Sequence, residues 1–225
     1  METFKEAKKK FKQAFTEILT NKNSYENDEA ALPAYAHKNP LIDYLFWKRL
    51  QVVFNFAKEN NFKNVLDFGC GSGVMSYLMA QNGISVTSSD IEFSPLRLVK
   101  EKIDFPAQIN FIEGDIINKN LPENSFDLIV ALDVLEHIEN LDEYIKLFER
   151  LLKPNGVIIV SGPTENILYK IGRKISGERF TGNYHVTNIK TIKKQFSEHL
   201  IIKTLRRLVF PVILFEVFIA KSEKK

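Results

Sequence analysis

The 225 residues include 31 Lys and Arg against 28 Asp and Glu, a formal net charge of +3, with 44% apolar and 26% charged residues. That is the profile of an ordinary soluble globular protein, and its charge is too mild to argue for a nucleic-acid binder. A single cysteine, Cys70, excludes an internal disulfide framework and suits a reducing compartment.

Residues 1–60 predict a helical cap. Phe4, Ala7, Phe11, Ala14, Phe15, Ile18 and Leu19 fall on one helical face, with Lys5, Lys8, Lys9 and Lys12 largely off it. This N-terminus lacks the apolar stretch of a signal peptide, so a cytoplasmic protein is expected. From about residue 62, short apolar runs alternate with helical patterns. NVLDFG, SVTSSDI, INFIEGD, DLIVALD and GVIIVSG read as buried parallel strands. Between them lie VMSYLMAQNG, SPLRLVKEKI and VLEHIENLDEYIKLFERLLKPNG, the last read as one helix stopping at Lys153-Pro154-Asn155-Gly156. Such alternation predicts a doubly wound α/β sheet. After Gly162 an insertion precedes the helix TNIKTIKKQFSEH. Two closing strands follow, LIIKTLRRLV and ILFEVFIAK, and the short link holding Pro211 forces them antiparallel. The apolar run LVFPVILFEVFIA is broken by Pro211 and Glu216 and falls short of the ~20 residues that span a bilayer. The expected organisation is one domain: a cap over 1–60, a ligand-binding core over 61–162, and an acceptor-side insertion with closing strands over 163–225.

The chemistry gathers at strand ends. VLDFGCGSG puts Gly69, Gly71 and Gly73 between the first strand and its helix, where open α/β sheets bind ligands. The spacing is G-x-G-x-G; the third glycine of a dinucleotide fingerprint falls at Val74, and no G-K-[ST] marks a phosphate loop. Asp90 ends the second strand about 20 residues beyond the loop, where a carboxylate can accept both ribose hydroxyls. Asp115 is a second carboxylate at a strand tip, beside Ile116, and Asp67 carries charge close to the loop. Together these point to a nucleoside ligand without phosphates.

VLDFGCGSG, SSDIE, EGDI, FDLIVALDVLEHI and LLKPNGVIIVSGP, in this order over about residues 62–162, resemble the successive motifs of the class I S-adenosylmethionine-dependent methyltransferases. The resemblance implies a seven-stranded mixed Rossmann-like sheet with its last strand antiparallel, and S-adenosylmethionine as methyl donor. It also implies roles: Gly69 and Gly71 flank the methionine part, which Asp67 helps to place, with Cys70 between them counted among the cofactor-binding residues. Asp90 binds the ribose with Ile91 beside the adenine, Asp115 bonds the adenine amino group, Ile116 packs on the ring, and Leu132 offers backbone to the methionine amine. The plainer readings are a tight turn for the glycines, a loop cap for either strand-tip carboxylate, and a small space-filler for Cys70.

The acceptor side is less legible. After the fourth strand, Ala131-Leu132-Asp133-Val134 replaces the [DNS]-P-P-[YFW] of enzymes that methylate adenine or amide nitrogens. Asp133, Glu136 and His137 stand at i, i+3 and i+4, a spacing that suits a divalent-cation cluster or, more plainly, a capping box with Asp133 as N-cap and Glu136 at N3. His37-x-Asn39-Pro40-Leu41, with DVLEHI, resembles the ubiquinone-biosynthesis O-methyltransferase branch. That branch follows Asn-Pro-Leu with an arginine for the cofactor carboxylate, where this chain has Ile42, and Arg49 lies further along. In the insertion Ile167, Leu168, Ile171 and Ile175 share a face, with Lys170, Arg173 and Lys174 off it and Tyr184 and His185 following. The expectation is a lid formed by this segment and the N-terminal helix over an amphipathic or anionic acceptor, small or lipid-like, with His137 or His185 as a base, O-methylation, no nucleic-acid partner, and peripheral contact with a membrane through these two basic amphipathic segments. A non-catalytic cofactor binder and a protein methyltransferase are the alternatives.

Overall fold

The computed structural model describes residues 2–21, 32–164, 186–209 and 213–221. Expectations for Ile167–Ile175, Tyr184, His185 and Pro211 lie outside the described residues. The chain divides into two compact units, Met1–Asp115 and Ile116–Lys225.

In the first unit, α1 (Phe4–Asn21), α2 (Leu32–Tyr35) and α3 (Pro40–Glu59) precede β1 (Asn64–Phe68), α4 (Val74–Ala80), β2 (Ser85–Asp90), α5 (Ser94–Lys100) and β3 (Ile109–Glu113). The stripe expected on α1 is the buried one. Ala7, Phe11 and Phe15 are fully enclosed, and the Phe11 ring meets Tyr77 edge-on at 5.1 Å and Phe15 at 5.6 Å. Among the lysines expected off that stripe, Lys8 and Lys12 reach Asp43 of α3 at 2.5 and 2.6 Å. The helical cap is therefore continuous with the first unit's core. Asn39 starts α3 in extended backbone, its side chain accepting from the Leu41 amide at 2.9 Å with Pro40 just inside the helix. His37 Nδ1 in turn accepts from the Asn39 amide at 2.9 Å, so the His-x-Asn-Pro-Leu stretch has a local structural job. Arg49 is buried, its guanidinium 4.3 Å from the Phe46 ring centroid and donating to the Tyr35 hydroxyl at 3.2 Å.

Three parallel strands run in the order β3-β2-β1. β1 buries Val65, Leu66, Asp67 and Phe68, whereas the edge strand β3 buries Ile109 and leaves Asn110 and Glu113 exposed. The register sets Asp67 against Ser88, Phe68 against Ser89, and Asp90 against Glu113. All three strands thus end at one level, which is where the chain places its polar side chains.

The second unit holds a 3-10 turn (Ile116–Asn118), β4 (Phe126–Leu132), a second 3-10 turn (Leu135–His137), α6 (Leu141–Leu151), β5 (Leu152–Pro163), α7 (Ile189–Ser197), β6 (Ile201–Val209) and β7 (Ile213–Lys221). Its strand order is β4-β5-β7-β6. β4 and β5 are parallel, while β7 runs antiparallel to both β5 and β6, as the tight closing link demands. The two sets supply the seven strands of the expected mixed sheet. One expected helix divides in two: after the turn at Leu135–His137 the backbone extends at Ile138, and α6 begins only at Leu141. Its end at Leu151 also precedes the expected stop, because β5 already pairs from Leu152 and Asn155 turns at φ 65°.

Candidate cofactor site and family

The glycine loop leaves β1 with Gly69, Gly71 and Gly73 at φ 69°, 53° and 78°, a backbone that side chains resist. At Gly73 the demand is doubled, since a Cβ there would lie 2.7 Å from Leu96 Cδ1 and 2.8 Å from Phe105 Cε1. Gly71 differs. A Cβ on Gly71 would meet nothing within 4 Å, so this glycine faces open space that a ligand can enter.

The second strand holds the loop. The Ser89 carbonyl accepts from the Gly69 and Cys70 amides at 2.9 and 3.0 Å. Asp90 accepts from the Gly71 amide at 2.7 Å through one carboxylate oxygen, and from the Ile91 amide at 2.8 Å through the other. Burial pushes the Asp90 carboxyl above its ordinary range, against the pull of those two amides. Each carboxylate oxygen has a second lone pair, so the group that ties the loop can still receive a ribose. Ile91 beside it is 66% exposed, an apolar side chain standing in solvent. Gly114 (φ 95°) donates to the Asp90 carbonyl at 2.8 Å, which brings the tip of β3, and Asp115 with it, to the tip of β2.

Asp67 lies beneath the loop at 3% exposure. Ser76 Oγ donates to its carboxylate at 2.5 Å and shares a 2.7 Å bond with Ser88 Oγ. Burial pushes Asp67 up to about 6; the Ser76 bond opposes the rise and nearby Asp90 adds to it. Burial also drives the Cys70 thiol well above its ordinary value, with Asp67 contributing. That makes Cys70 a neutral packing group and a poor nucleophile. Sequence reasoning missed Ser76, Ser88 and the Ser89 carbonyl. The available signal was the polar run Thr87-Ser88-Ser89 inside a strand otherwise shaped for burial.

In the second unit Ile116 is 1% exposed within its 3-10 turn, and Leu132 ends β4 half-buried opposite Ser161. The capping box expected at Asp133 is overturned. Asp133 adopts φ 54°, the turn's N-cap position is Val134, and no side chain caps it. A left-handed residue cannot begin a helix in the extended geometry that side-chain capping needs. Glu136 is buried, and its carbonyl accepts from the Val186 and Thr187 amides at 2.8 and 3.3 Å, tying the turn to the approach of α7. His137 is exposed. Among the described residues no group of three His, Cys, Asp or Glu is placed to hold a metal ion.

A family model described as a methyltransferase domain matches residues 41–199. The chain belongs to the class I S-adenosylmethionine-dependent methyltransferases. The match takes in the glycine loop, both strand-tip carboxylates and β4 to α7 of the methyltransferase. The ubiquinone biosynthesis O-methyltransferase of Pseudomonas aeruginosa is 33% identical over 107 residues, 46% of each chain. The mitochondrial enzyme of that name from Schizosaccharomyces pombe is 30% identical over 122 residues, 52% of this chain and 44% of that one. The chain thus spans about half the length of these relatives. Two solved structures share the fold. The N-methyltransferase NodS of Bradyrhizobium japonicum, in complex with S-adenosyl-L-homocysteine, superposes with TM-score 0.63 at 16% identity over 96% of this chain and all of that one. The magnesium protoporphyrin IX methyltransferase of Synechocystis, with the same product bound, gives 0.58 at 22% identity over 78% and 83%. S-adenosylmethionine is the methyl donor of the class. The open side of Gly71 leaves room for its methionine part, and the Asp90 carboxylate with the uncovered Ile91 suits its adenosine.

Proposed function

We propose that this methyltransferase, working as one domain, transfers the donor's methyl group to a hydroxyl oxygen of a small or lipid-like phenolic acceptor. The observation that carries the donor side is the junction of the Gly71 amide with the Asp90 carboxylate, beside exposed Ile91 at the end of β2. The family match crosses the boundary between the two units, which supports a single domain. The acceptor reading rests on the relatives named for ubiquinone biosynthesis and on the His-x-Asn-Pro-Leu stretch that resembles their branch.

In this reading Asp90 receives the ribose hydroxyls, Ile91 covers one face of the adenine, and Asp115 bonds its amino group. Gly69, Cys70 and Gly71 line the methionine portion, with Asp67 below them. When bound, the donor supplies an electrophilic methyl carbon on a sulfonium whose departure leaves a neutral thioether. The acceptor oxygen forms the new C–O bond as the C–S pair returns to sulfur. The chain's own task is positioning, which in well-aligned systems contributes about 7–11 kcal/mol to lowering a barrier. The acceptor proton needs a base, and His137 and His185 are the candidates.

Transfer of labelled methyl from S-adenosylmethionine to catechols bearing short and long alkyl tails tests the reading. Label recovered as an O-methyl ether, with preference for the longer tail, supports it. Label on nitrogen, or turnover with none of these acceptors while the donor binds, contradicts it. Loss of turnover in His137→Ala or His185→Ala with donor affinity intact would assign the base, and full turnover in both would remove the histidines from the chemistry.

A further inference from the structure

Charge is unevenly spread along this chain. Its formal net charge is +3, yet the described stretch from α7 to the end of β7 holds seven cations, Lys190, Lys193, Lys194, Lys203, Arg206, Arg207 and Lys221, against Glu198 and Glu216. Glu216 is spent internally. It is 9% exposed, bonded to Lys193 and to Thr204 (2.9 Å), with Arg207 at 3.5 Å. That leaves Glu198 as the exposed carboxylate of the stretch, facing six exposed cations.

Register decides how they are arrayed. Ile202, Thr204 and Arg207 pair with Ala220, Phe218 and Glu216, on the face where Phe218 meets Phe196 of α7 at 5.7 Å. Ile201, Lys203 and Arg206 pair with Lys221, Ile219 and Val217 and therefore project from the opposite face. The bulge between Thr204 and Arg206 shifts the alternation by one residue, so that Arg206 rather than Leu205 shares the face of Lys203 on this edge strand. Cations thus splay from both sides of the β6 edge, with Lys190 and Lys194 exposed on α7 beside it. At either end of the strand stand Ile201 and Val209, each 55% exposed. Exposed aliphatic side chains interleaved with cations suit a lipid headgroup layer, into which the aliphatic groups can dip. Exposed aromatic rings, which single-stranded nucleic acid would stack upon, do not occur among the described residues of α7, β6 and β7.

We propose that the β6 edge, with the exposed lysines of α7, is a docking surface for the anionic face of a phospholipid bilayer. The surface is independent of the donor site and of the acceptor reading. It complements the sequence expectation of membrane contact through α1 and the insertion by placing the contact on a different element.

Sedimentation of the full chain with vesicles of 30 mol% phosphatidylglycerol in phosphatidylcholine, at low and high salt, is the test. Each basic residue near an anionic leaflet contributes a roughly fivefold factor. The double variant Lys203→Glu, Arg206→Glu should therefore bind at least about twentyfold more weakly, with melting temperature and S-adenosylmethionine affinity unchanged. Where the double reversal fails to fold, Lys203→Gln, Arg206→Gln gives the same ordering with a smaller loss. Unchanged vesicle binding by either folded variant, equal binding to neutral phosphatidylcholine, or capture by single-stranded RNA with no binding to vesicles would each overturn the proposal.

Discussion

In the proposed site Asp90 does two jobs with one carboxylate, and removing it should cost both. Its oxygens tie the loop through the Gly71 and Ile91 amides, and hydrogen bonds to a charged group are each worth about 1.5–3 kcal/mol. Asp90→Ala should weaken donor binding at least about tenfold and lower the melting temperature as well. Gly71→Ala should behave differently. The left-handed backbone costs an alanine about 1–2 kcal/mol, but its methyl meets no protein atom, so a folded protein with a blocked donor cleft is expected. Asp67 gives a pH signature. Its folded pKa of about 6 lies above the ordinary 3.8, so the folded state holds that proton more tightly than the unfolded state does. The contribution is complete below about pH 4 and is lost as pH rises through 6, a span of about 3 kcal/mol. Urea melts from pH 4 to 7 should show Asp67→Asn with a flatter profile and at least wild-type stability at pH 7. A steeper profile, or an unstable variant at neutral pH, would contradict the buried-acid reading.

Helix α1 is bound to the first unit by its aromatic stripe more than by its lysines. Phe11→Ala should cost about 3–5 kcal/mol in a urea melt, the range for emptying a fully buried aromatic site. Asp43→Ala removes a half-exposed cluster and should cost far less. Burial alone would raise the Asp43 carboxyl; Lys12 and Lys8 together hold it below the ordinary range. The elements themselves were readable where periodicity is strong: the α1 face, the five parallel strands and the antiparallel closure all appear where the sequence pointed. The failure at Asp133 is instructive. D-x-x-E spacing satisfies a capping box, but spacing carries no information on φ, and a left-handed turn at the end of β4 took the place of the helix start. In the loop, glycines and carboxylates were visible because their types are diagnostic. The serines and the Ser89 carbonyl that hold them act through geometry that only the fold supplies.

For the molecule as a whole, the proposed function divides the labour: strand tips build the donor end, and acceptor choice falls to residues whose types are less diagnostic. Such a division is compatible with two methyltransferases sharing the fold at 16% and 22% identity. It also predicts that donor affinity and acceptor turnover respond to different substitutions, Gly71 and Asp90 for the first and His137 or His185 for the second. Calorimetric titration of S-adenosylmethionine into the wild type, Gly71→Ala and Asp90→Ala tests the centre of this description. The expected result is one site per chain in the wild type, with affinity lost in Gly71→Ala while its fold is kept, and lowered at least about tenfold in Asp90→Ala. Wild-type affinity in a folded Gly71→Ala variant, or no heat of binding from the wild type, would contradict it.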